Sequence, residues 1–343
     1  MNVEAGASRG DAPKPLTFTL LRLLADGEFH SGEVLAQRLG ISRASVNKAL
    51  RDVAELGLDL YSIRGRGYRL SAPLQWLDAA RINTLMGKTA RQFHIEINDS
   101  GASSNTLLLQ HAELGEAQGG PFSGTVLALE WQSAGRGRMG RTWHSALGGA
   151  LTFSVLWRFE RGLSALSGLS LAIGVGLIRA LHKLGARDVY LKWPNDVLDA
   201  QGAKLAGILI EARGDMLGPC TVVMGIGLNL AVPTSMRRQL AQPVVGLNEL
   251  LPVLPERNQM FAVILCELHS VLCEFAAHGF AALRAEWEHH HGWQGLPVLL
   301  ALPDGGKAKG VARGVDDTGA LCVETAQGIS HFNAGEISLR KSV

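Results

Sequence analysis

The segment Gly135-Arg136-Gly137-Arg138-Met139-Gly140-Arg141 combines three arginines with three glycines. Ordering a glycine-rich loop costs about 1–2 kcal/mol per residue in conformational entropy. A polyanionic ligand can supply that free energy, because guanidinium groups bind carboxylates and phosphates through paired hydrogen bonds. The segment therefore favours capture of a phosphate or a carboxylate. The alternative is a mobile surface loop.

A second group of polar residues lies downstream, around predicted strands. Lys192-Trp193-Pro194-Asn195-Asp196 comes after a strand end, where proline stops strand pairing, and Lys204 opens the next strand. Gly225-Ile226-Gly227-Leu228-Asn229 places two glycines inside a strand, which indicates a close approach to the backbone. No Ser/His/Asp or Cys/His nucleophile pair accompanies them. This set favours phosphoryl or nucleotidyl transfer by positioning and charge stabilisation.

Three other motifs fail when their context is considered. The glycines of residues 135–140 match the dinucleotide fingerprint, but Arg141-Thr142-Trp143-His144 and a strand follow, where that fingerprint needs a helix. Gly87-Lys88-Thr89 ends like a phosphate loop, but Ile82 stands where its first glycine should be. His289-His290-His291 are consecutive and would point in different directions on a helix, which favours a solvated helix end over a metal site.

The elements that must position these residues form a mixed pattern from about residue 80. Helices are predicted near 103–114, 164–184, 257–277 and 280–290, and strands at 125–131, 151–157, 189–192, 205–212 and 221–230. Regular alternation of strand and helix is missing, which argues against a doubly wound parallel sheet. The sequence therefore predicts an α+β fold with a mixed sheet over residues 80–293.

The N-terminal part has the pattern of a helix-turn-helix. A helix is predicted at 16–24, Ser31 can cap a second helix that ends at Gly40, and Ser42 can cap a third. In the third helix the basic and amide side chains form a stripe suited to base edges and phosphates in a major groove. The residues of that predicted DNA-binding surface are Arg43, Asn47, Lys48 and Arg51.

A wing is predicted after these helices. Residues 58–63 and 68–70 have the pattern of two short strands around Arg64-Gly65-Arg66-Gly67, so Arg64 and Arg66 would lie at a hairpin tip that contacts DNA. Seven basic residues against three acidic ones between positions 38 and 69 give this part a local charge of +4. The alternative is a small helical cap with a solvated charged face.

Composition limits the remaining possibilities. Glycine accounts for 41 of 343 residues, without a collagen period or low-complexity tract, so the excess has to serve loops and close approaches. The four cysteines form no Cys-x-x-Cys pair and no signal-peptide pattern opens the chain, which predicts a cytoplasmic protein. The longest uncharged run, residues 162–178, is interpreted as a buried helix rather than a membrane span.

Taken in order, these motifs resemble those of bifunctional biotin protein ligases that also repress the biotin operon. Residues 135–143 resemble the family's biotin-binding loop, and Lys192-Trp193-Pro194-Asn195-Asp196, Lys204-Leu205-Ala206-Gly207-Ile208-Leu209 and Gly225-Ile226-Gly227-Leu228-Asn229 match its other motifs. Ser103-Ser104-Asn105 resembles its Ser/Thr-Thr-Asn segment. The resemblance covers nearly the whole chain beyond residue 15.

The resemblance implies a reaction of biotin with MgATP to biotinyl-5′-adenylate, followed by transfer to a lysine of biotin carboxyl carrier protein. It implies biotin contacts from Ser103, Ser104, Asn105, Gln132, Arg136, Gly137, Arg138 and Lys204. It implies ATP or adenylate contacts from Arg138, Arg141, Trp143, Lys192, Asn195, Lys204, Asn229 and Arg340. Lys192, Lys204 and Arg136 would act on the reacting groups, and Asp196 would hold Mg²⁺.

The sequence departs from the family pattern in the serine segment and the loop. Gly101-Ala102 separates Asp99-Ser100 from Ser103-Ser104-Asn105, so either Ser103 or Ser104 could face biotin. Met139 stands where an arginine is common, and residues 246–251 offer no aromatic to cover adenine.

The domain boundaries predicted are a disordered tail at 1–14, a winged helix at 15–72, a catalytic domain at 80–293 and a small barrel of the SH3 type at 295–343. Operator DNA and a ligand-dependent homodimer are the further expected partners, with no membrane. The competing hypotheses are a biotin sensor without catalysis and a lipoate ligase.

Overall fold

The computed structural model describes residues 13–116, 122–302, 306–333 and 338–341. The greater part of the predicted disordered tail lies outside these residues. The N-terminal part contains helices α1 (Pro15–Leu23), α2 (Gly32–Leu39) and α3 (Arg43–Leu50) and strands β1 (Leu60–Ile63) and β2 (Gly67–Leu70). Ser31 and Ser42 accept hydrogen bonds at the starts of α2 and α3, so both predicted caps are present.

The wing is a tight antiparallel hairpin in which Ile63 pairs with Gly67. Gly67 has a φ of +99°, and a Cβ there would lie 2.0 Å from the backbone oxygen of His30. Only glycine fits that position. The hairpin therefore lies against the start of α2, and the winged helix-turn-helix predicted from the sequence is confirmed.

The central part is built on one mixed seven-stranded sheet. Its strands are β3 (His94–Gly101), β4 (Thr125–Gln132), β5 (Ala150–Phe159), β6 (Val189–Lys192), β7 (Asp196–Asp199), β8 (Lys204–Gly214) and β9 (Cys220–Asn229). They are arranged in the order β3-β4-β5-β9-β8-β7-β6, and only β3 and β4 are parallel. The expected α+β class with a mixed sheet is confirmed.

Helices cover the two faces of this sheet unequally. The central helices are α4 (Ala79–Met86), α5 (Ser104–Glu116), α6 (Leu169–Lys183), α7 (Thr234–Arg237), α8 (Arg257–His278) and α9 (Arg284–His289). The main core lies beneath α6 and α8, and the shorter α5 covers part of the opposite face with Leu108 and Leu109. Ser104 and Asn105, at the start of α5, line a pocket between this helix and the sheet.

The sequence prediction missed four central elements, α4, α7, β3 and β7. Two segments, Leu163–Lys183 and Arg257–His278, are long and apolar enough to cross a membrane, by length and composition only. In each, 56% of the most apolar window is buried inside the protein. This burial is typical of core helices.

The C-terminal part is a five-stranded antiparallel sheet. Its strands are β10 (Pro297–Ala301), β11 (Lys307–Val315), β12 (Leu321–Thr325), β13 (Gly328–Phe332) and β14 (Ser338–Lys341), in the order β13-β12-β11-β10-β14. The indole of Trp193 donates to the backbone oxygen of Gly319 at 3.1 Å, which joins this sheet to the central part close to the predicted site.

Candidate functional site

A polar pocket forms where the N-terminus of α5 meets the sheet. The backbone N–H of Ser104 donates to Gln132 Oε1 at 2.8 Å. Ser154 Oγ lies 2.7 Å from Ser104 Oγ and donates to Asn105 Oδ1 at 2.5 Å. Ser103 and these four residues are all buried. Fixed, hydrogen-bonded polar groups of this kind can recognise the few polar atoms of a small ligand.

Gly225 lies beneath the side chain of Asn105. A Cβ on Gly225 would be 2.2 Å from Asn105 Oδ1. Asn105 Nδ2 donates to the backbone oxygen of Leu209 at 3.3 Å and to Glu211 Oε2 at 3.0 Å. The close approach that the sequence predicted at this strand is therefore made by a protein side chain.

Gly227 has the same relationship with Trp143. A Cβ on Gly227 would be 2.4 Å from the indole ring, and one on Gly207 would be 3.3 Å from it. Trp143 thus lies flat across β8 and β9 and lines the pocket. Its ring is also 5.7 Å from Lys204 Nζ. Gly207 and Gly227 therefore leave the space that the indole of Trp143 occupies. An alanine at position 227 would push the indole away from the sheet.

The arginine–glycine loop, residues 135–141, is closed by its own backbone hydrogen bonds. Gly137 N donates to Arg141 O at 2.7 Å, and Trp143 N donates to Gly135 O at 2.8 Å. Met139 has a φ of +57° and its side chain is exposed, so it lies outside the pocket at the turn of the loop. In this conformation the loop is therefore held by hydrogen bonds at both of its ends.

The arginines of this loop have distinct surroundings. Arg136 pairs with Glu211 through Nη1–Oε2 at 3.1 Å and Nη2–Oε1 at 2.9 Å. Arg138 Nη1 donates to Asn195 Oδ1 at 3.2 Å, and burial lowers the pKa of Arg138. Arg141 donates from Nε to Arg138 O at 3.2 Å. The loop therefore presents a partly desolvated positive charge to the pocket, where an anion would be strongly attracted.

Two lysines converge on Asp196 at the β6–β7 hairpin. Lys204 Nζ is 2.5 Å from Asp196 Oδ1, and Lys192 Nζ is 3.9 Å from Oδ2. Lys192 Nζ also lies 4.8 Å from the ring of Trp293. The predicted loop is a hairpin turn, because Lys192 and Asp196 are paired residues of β6 and β7. Asp196 thereby holds the ammonium groups in place.

Most of the residues predicted from the sequence meet in one cavity. Its lining includes Ser103, Ser104, Asn105, Gln132, Arg136, Gly137, Arg138, Arg141, Trp143, Asn195 and Lys204. Lys192, Asp196 and Asn229 are not among the lining residues; Asn229 donates instead to the backbone oxygen of Lys204 at 3.2 Å. The side chain of Arg340 lies outside the described residues. Sequence reasoning missed the lining residues Thr152 and Gln242. It also missed Ser154 and Glu211, which hydrogen-bond to Asn105.

The expected DNA-binding side chains are all exposed on the winged helix: Arg43, Asn47, Lys48, Arg51, Arg64 and Arg66. Asn47 Nδ2 donates to the hydroxyl of Tyr68 at 3.2 Å, which connects α3 to the base of the wing. The guanidinium of Arg66 lies 4.1 Å over the ring of Phe29. This stacking restrains the wing arginine before any ligand arrives.

The three consecutive histidines require a correction. His291 is 5% exposed and stacks on Trp287 with ring centroids 4.6 Å apart, so it is not part of a solvated helix end. Burial lowers the pKa of His291 to about 4. Within the described residues no group of three or more His, Cys, Asp or Glu side chains is placed to hold a metal ion.

Comparisons with known families cover all three parts of the chain. The model of the biotin/lipoate A/B protein ligase family matches residues 103–229, and that of the biotin protein ligase C terminal domain matches residues 295–340. An HTH domain model matches residues 17–69.

Full-length relatives show the same combination. The bifunctional ligase/repressor BirA of Salmonella typhimurium is 38% identical over 97% of this chain and 99% of its own. That of Escherichia coli is 39% identical over 94% and 97%. A solved biotin protein ligase from Aquifex aeolicus in complex with biotin and ATP is 27% identical and superposes with a TM-score of 0.61, covering 73% of this chain and 99% of its own.

Proposed function

Because the chain belongs to the family of bifunctional biotin ligases and repressors, we propose that its pocket activates biotin with ATP and transfers it to a carrier-protein lysine. The chain is a biotin–protein ligase with an N-terminal DNA-binding domain of the repressor type. In the first step a carboxylate oxygen of biotin attacks the α-phosphorus of ATP, and pyrophosphate leaves. In the second step a lysine amine attacks the adenylate carbonyl, and AMP leaves.

One observation carries this proposal. The cavity has a buried polar end, at Ser104, Asn105 and Gln132, and a cationic end, at Arg138 and Lys204. Biotin has a ureido ring at one end and a carboxylate at the other, with an apolar chain between them. The polar end would bind the ureido group and the cationic end would receive the carboxylate and the phosphate.

Charge stabilisation is assigned to side chains that this chain already holds in position. Lys204 is restrained by Asp196 and Trp143, and it would donate to the oxygens of the α-phosphate as negative charge develops there. Arg138, desolvated against Asn195, would close over the adenylate and keep it from water. Lys192 would act on the departing pyrophosphate, and Asn229 and Arg141 would contact the nucleotide part.

Magnesium enters this proposal as part of the substrate MgATP. The structure does not support Asp196 as its ligand, because each carboxylate oxygen of Asp196 already faces a lysine ammonium group. Lysine competes with a divalent cation for the same carboxylate, so we assign no step to a protein-bound metal ion.

The DNA-binding domain extends the proposal to repression by an adenylate-favoured homodimer that occupies two half-sites of an operator. The exposed basic side chains of α3 and the wing support this part. The proposal includes domains at residues 15–72, 80–293 and 295–343 and a cytoplasmic location. It also assigns Arg340 to the binding of ATP or the carrier protein. A sensor without ligase activity and a lipoate ligase are not favoured by the relatives.

The proposal is tested by incubating the protein with biotin, MgATP and a biotin carboxyl carrier domain. We expect the carrier to gain the mass of one biotinyl group. A carrier whose acceptor lysine is replaced by arginine is the control and should remain unmodified. Modification of the carrier with lipoate in place of biotin would contradict the proposed substrate.

A further inference from the structure

Glu211 is the acidic residue that connects the arginine–glycine loop to the floor of the pocket. It lies on β8, where Gly207, Leu209 and Glu211 occupy alternate positions and therefore point to the same face of the sheet. Gly207 and Leu209 line the pocket. The side chain of Glu211 is 25% exposed, so its charge is partly removed from water.

The contacts of Glu211 reach both sides of the pocket. Its two carboxylate oxygens accept from the two terminal nitrogens of Arg136 at 3.1 and 2.9 Å. Oε2 also accepts from Asn105 Nδ2 at 3.0 Å. One carboxylate thus fixes Arg136, which the family resemblance places against biotin and the reacting groups, and Asn105, which is proposed to bind the ureido group.

The contacts with Glu211 leave some N–H donors of Arg136 available for a ligand. Nη1 also donates to Thr106 Oγ1 at 3.2 Å, so both of its hydrogens are used. A guanidinium has five N–H donors. The Nε hydrogen and one Nη2 hydrogen are not used by these bonds, and an incoming anion can accept them without displacing Glu211.

We propose that Glu211 is a positioning residue that ties the arginine–glycine loop, through Arg136, to the biotin-binding side chain of Asn105. Glu211 does not touch the reacting atoms. It holds the loop closed and sets the orientation of both partners before biotin binds, which reduces the ordering cost that the ligand must supply. This role rests on the proposed function, because it is biotin that the two partners would contact.

The first test measures, without ligand, how strongly the contact between Glu211 and Arg136 holds the loop closed. Trypsin cleaves after arginine, so cleavage at Arg136, Arg138 and Arg141 reports the opening of the loop. In Glu211→Gln an amide nitrogen replaces one acceptor and the charge is lost. We expect cleavage in the loop to become about tenfold faster. Glu113→Gln is the matched control, since Glu113 pairs with Arg213 at the surface with both side chains at least half exposed. The control should be cleaved like the unaltered protein.

The second test measures biotin adenylation. We expect Glu211→Gln to raise the KM for biotin about tenfold while kcat changes less than about twofold, because uniform binding is lost. In the double variant Arg136→Gln/Glu211→Gln, the increase in the KM for biotin should be smaller than the product of the increases in the two single variants, because the pair acts as a unit. Circular dichroism of each variant verifies that it is folded.

The contrary outcomes are distinct. A lower KM in Glu211→Gln would mean that Glu211 competes with biotin for Arg136, and unchanged cleavage with unchanged KM would mean that the contact has no positioning role. Either result overturns the inference. An unaltered protein that shows no biotin-dependent activity would instead contradict the proposed function. The comparison of trypsin cleavage would still test whether Glu211 holds the loop closed.

Discussion

Trp131 and Gln132 are neighbours in β4 whose side chains pack in different parts of the protein. The side chain of Trp131 is buried in the core of the winged helix, together with Leu56 and Leu147. Gln132 accepts a hydrogen bond from Ser104 at the floor of the pocket. The backbone N–H of Leu147 donates to Leu56 O at 2.8 Å and strengthens the same junction. Trp131 and Gln132 therefore connect the winged helix and the pocket through one strand end.

The junction yields a first prediction. Trp131→Ala removes a large buried side chain, so we expect the free energy of unfolding to fall by about 3–5 kcal/mol. Chemical denaturation monitored by circular dichroism measures this change. Trp131→Phe, which retains an aromatic ring, should recover more than half of the loss. A change below about 1 kcal/mol in Trp131→Ala would show that the indole does not hold the junction together.

Arg138 provides a second prediction about retention of the intermediate. In Arg138→Ala the pocket loses a desolvated cation next to Asn195. We expect biotinyl-adenylate to dissociate about tenfold faster or more, since a charge-assisted hydrogen bond contributes about 1.5–3 kcal/mol. Rapid dilution followed by separation of free adenylate gives the rate. Dissociation at the unaltered rate would count against an anionic clamp in the loop.

The DNA-binding surface supports a third prediction. Arg43→Ala combined with Arg51→Ala should weaken operator binding and reduce the slope of log K against log salt by about two, because two phosphate contacts are lost. Biotin-dependent turnover should remain intact, because both residues are exposed on the winged helix. Binding measured at several salt concentrations gives the slope. Loss of turnover in the same variant would indicate a structural role.

The buried His291 gives a fourth prediction, on pH. Its pKa is lowered from about 6.5 to about 4, so the unfolded chain binds a proton that the folded chain does not. Stability contributed by the neutral imidazole is complete above about pH 6.5 and is lost as the pH falls towards 4, by up to about 3 kcal/mol. Urea unfolding at pH 7 and pH 4.5 measures the difference. His291→Gln should reduce that difference, and an equal difference in both proteins would contradict the assignment.

The structure brings most of the residues picked out by short motifs into one cavity, whereas the sequence missed several of the elements around them. The motifs at Arg138, Asn195 and Lys204 could be recognised because each is a short, continuous stretch with its own chemistry. Ser154 and Glu211 could not, because they lie in strands that reach the pocket only through the pairing of β5 with β9 and of β9 with β8.

Glycine shows the same limit of local reasoning. Two glycines in β9 signalled a close approach, but the sequence did not reveal that Asn105 and Trp143 make it. The side chains that require Gly225 and Gly227 lie far away along the chain.

Local patterns also placed His291 at a solvated helix end, whereas tertiary packing against Trp287 buries it.

The most direct measurement of the central claim is exchange of labelled pyrophosphate into ATP. The account predicts exchange that depends on biotin, requires MgATP and is not supported by lipoate, because the pocket joins a polar floor at Asn105 to a cationic end at Lys204. Binding of biotin without any exchange, or exchange supported by lipoate instead, would contradict it.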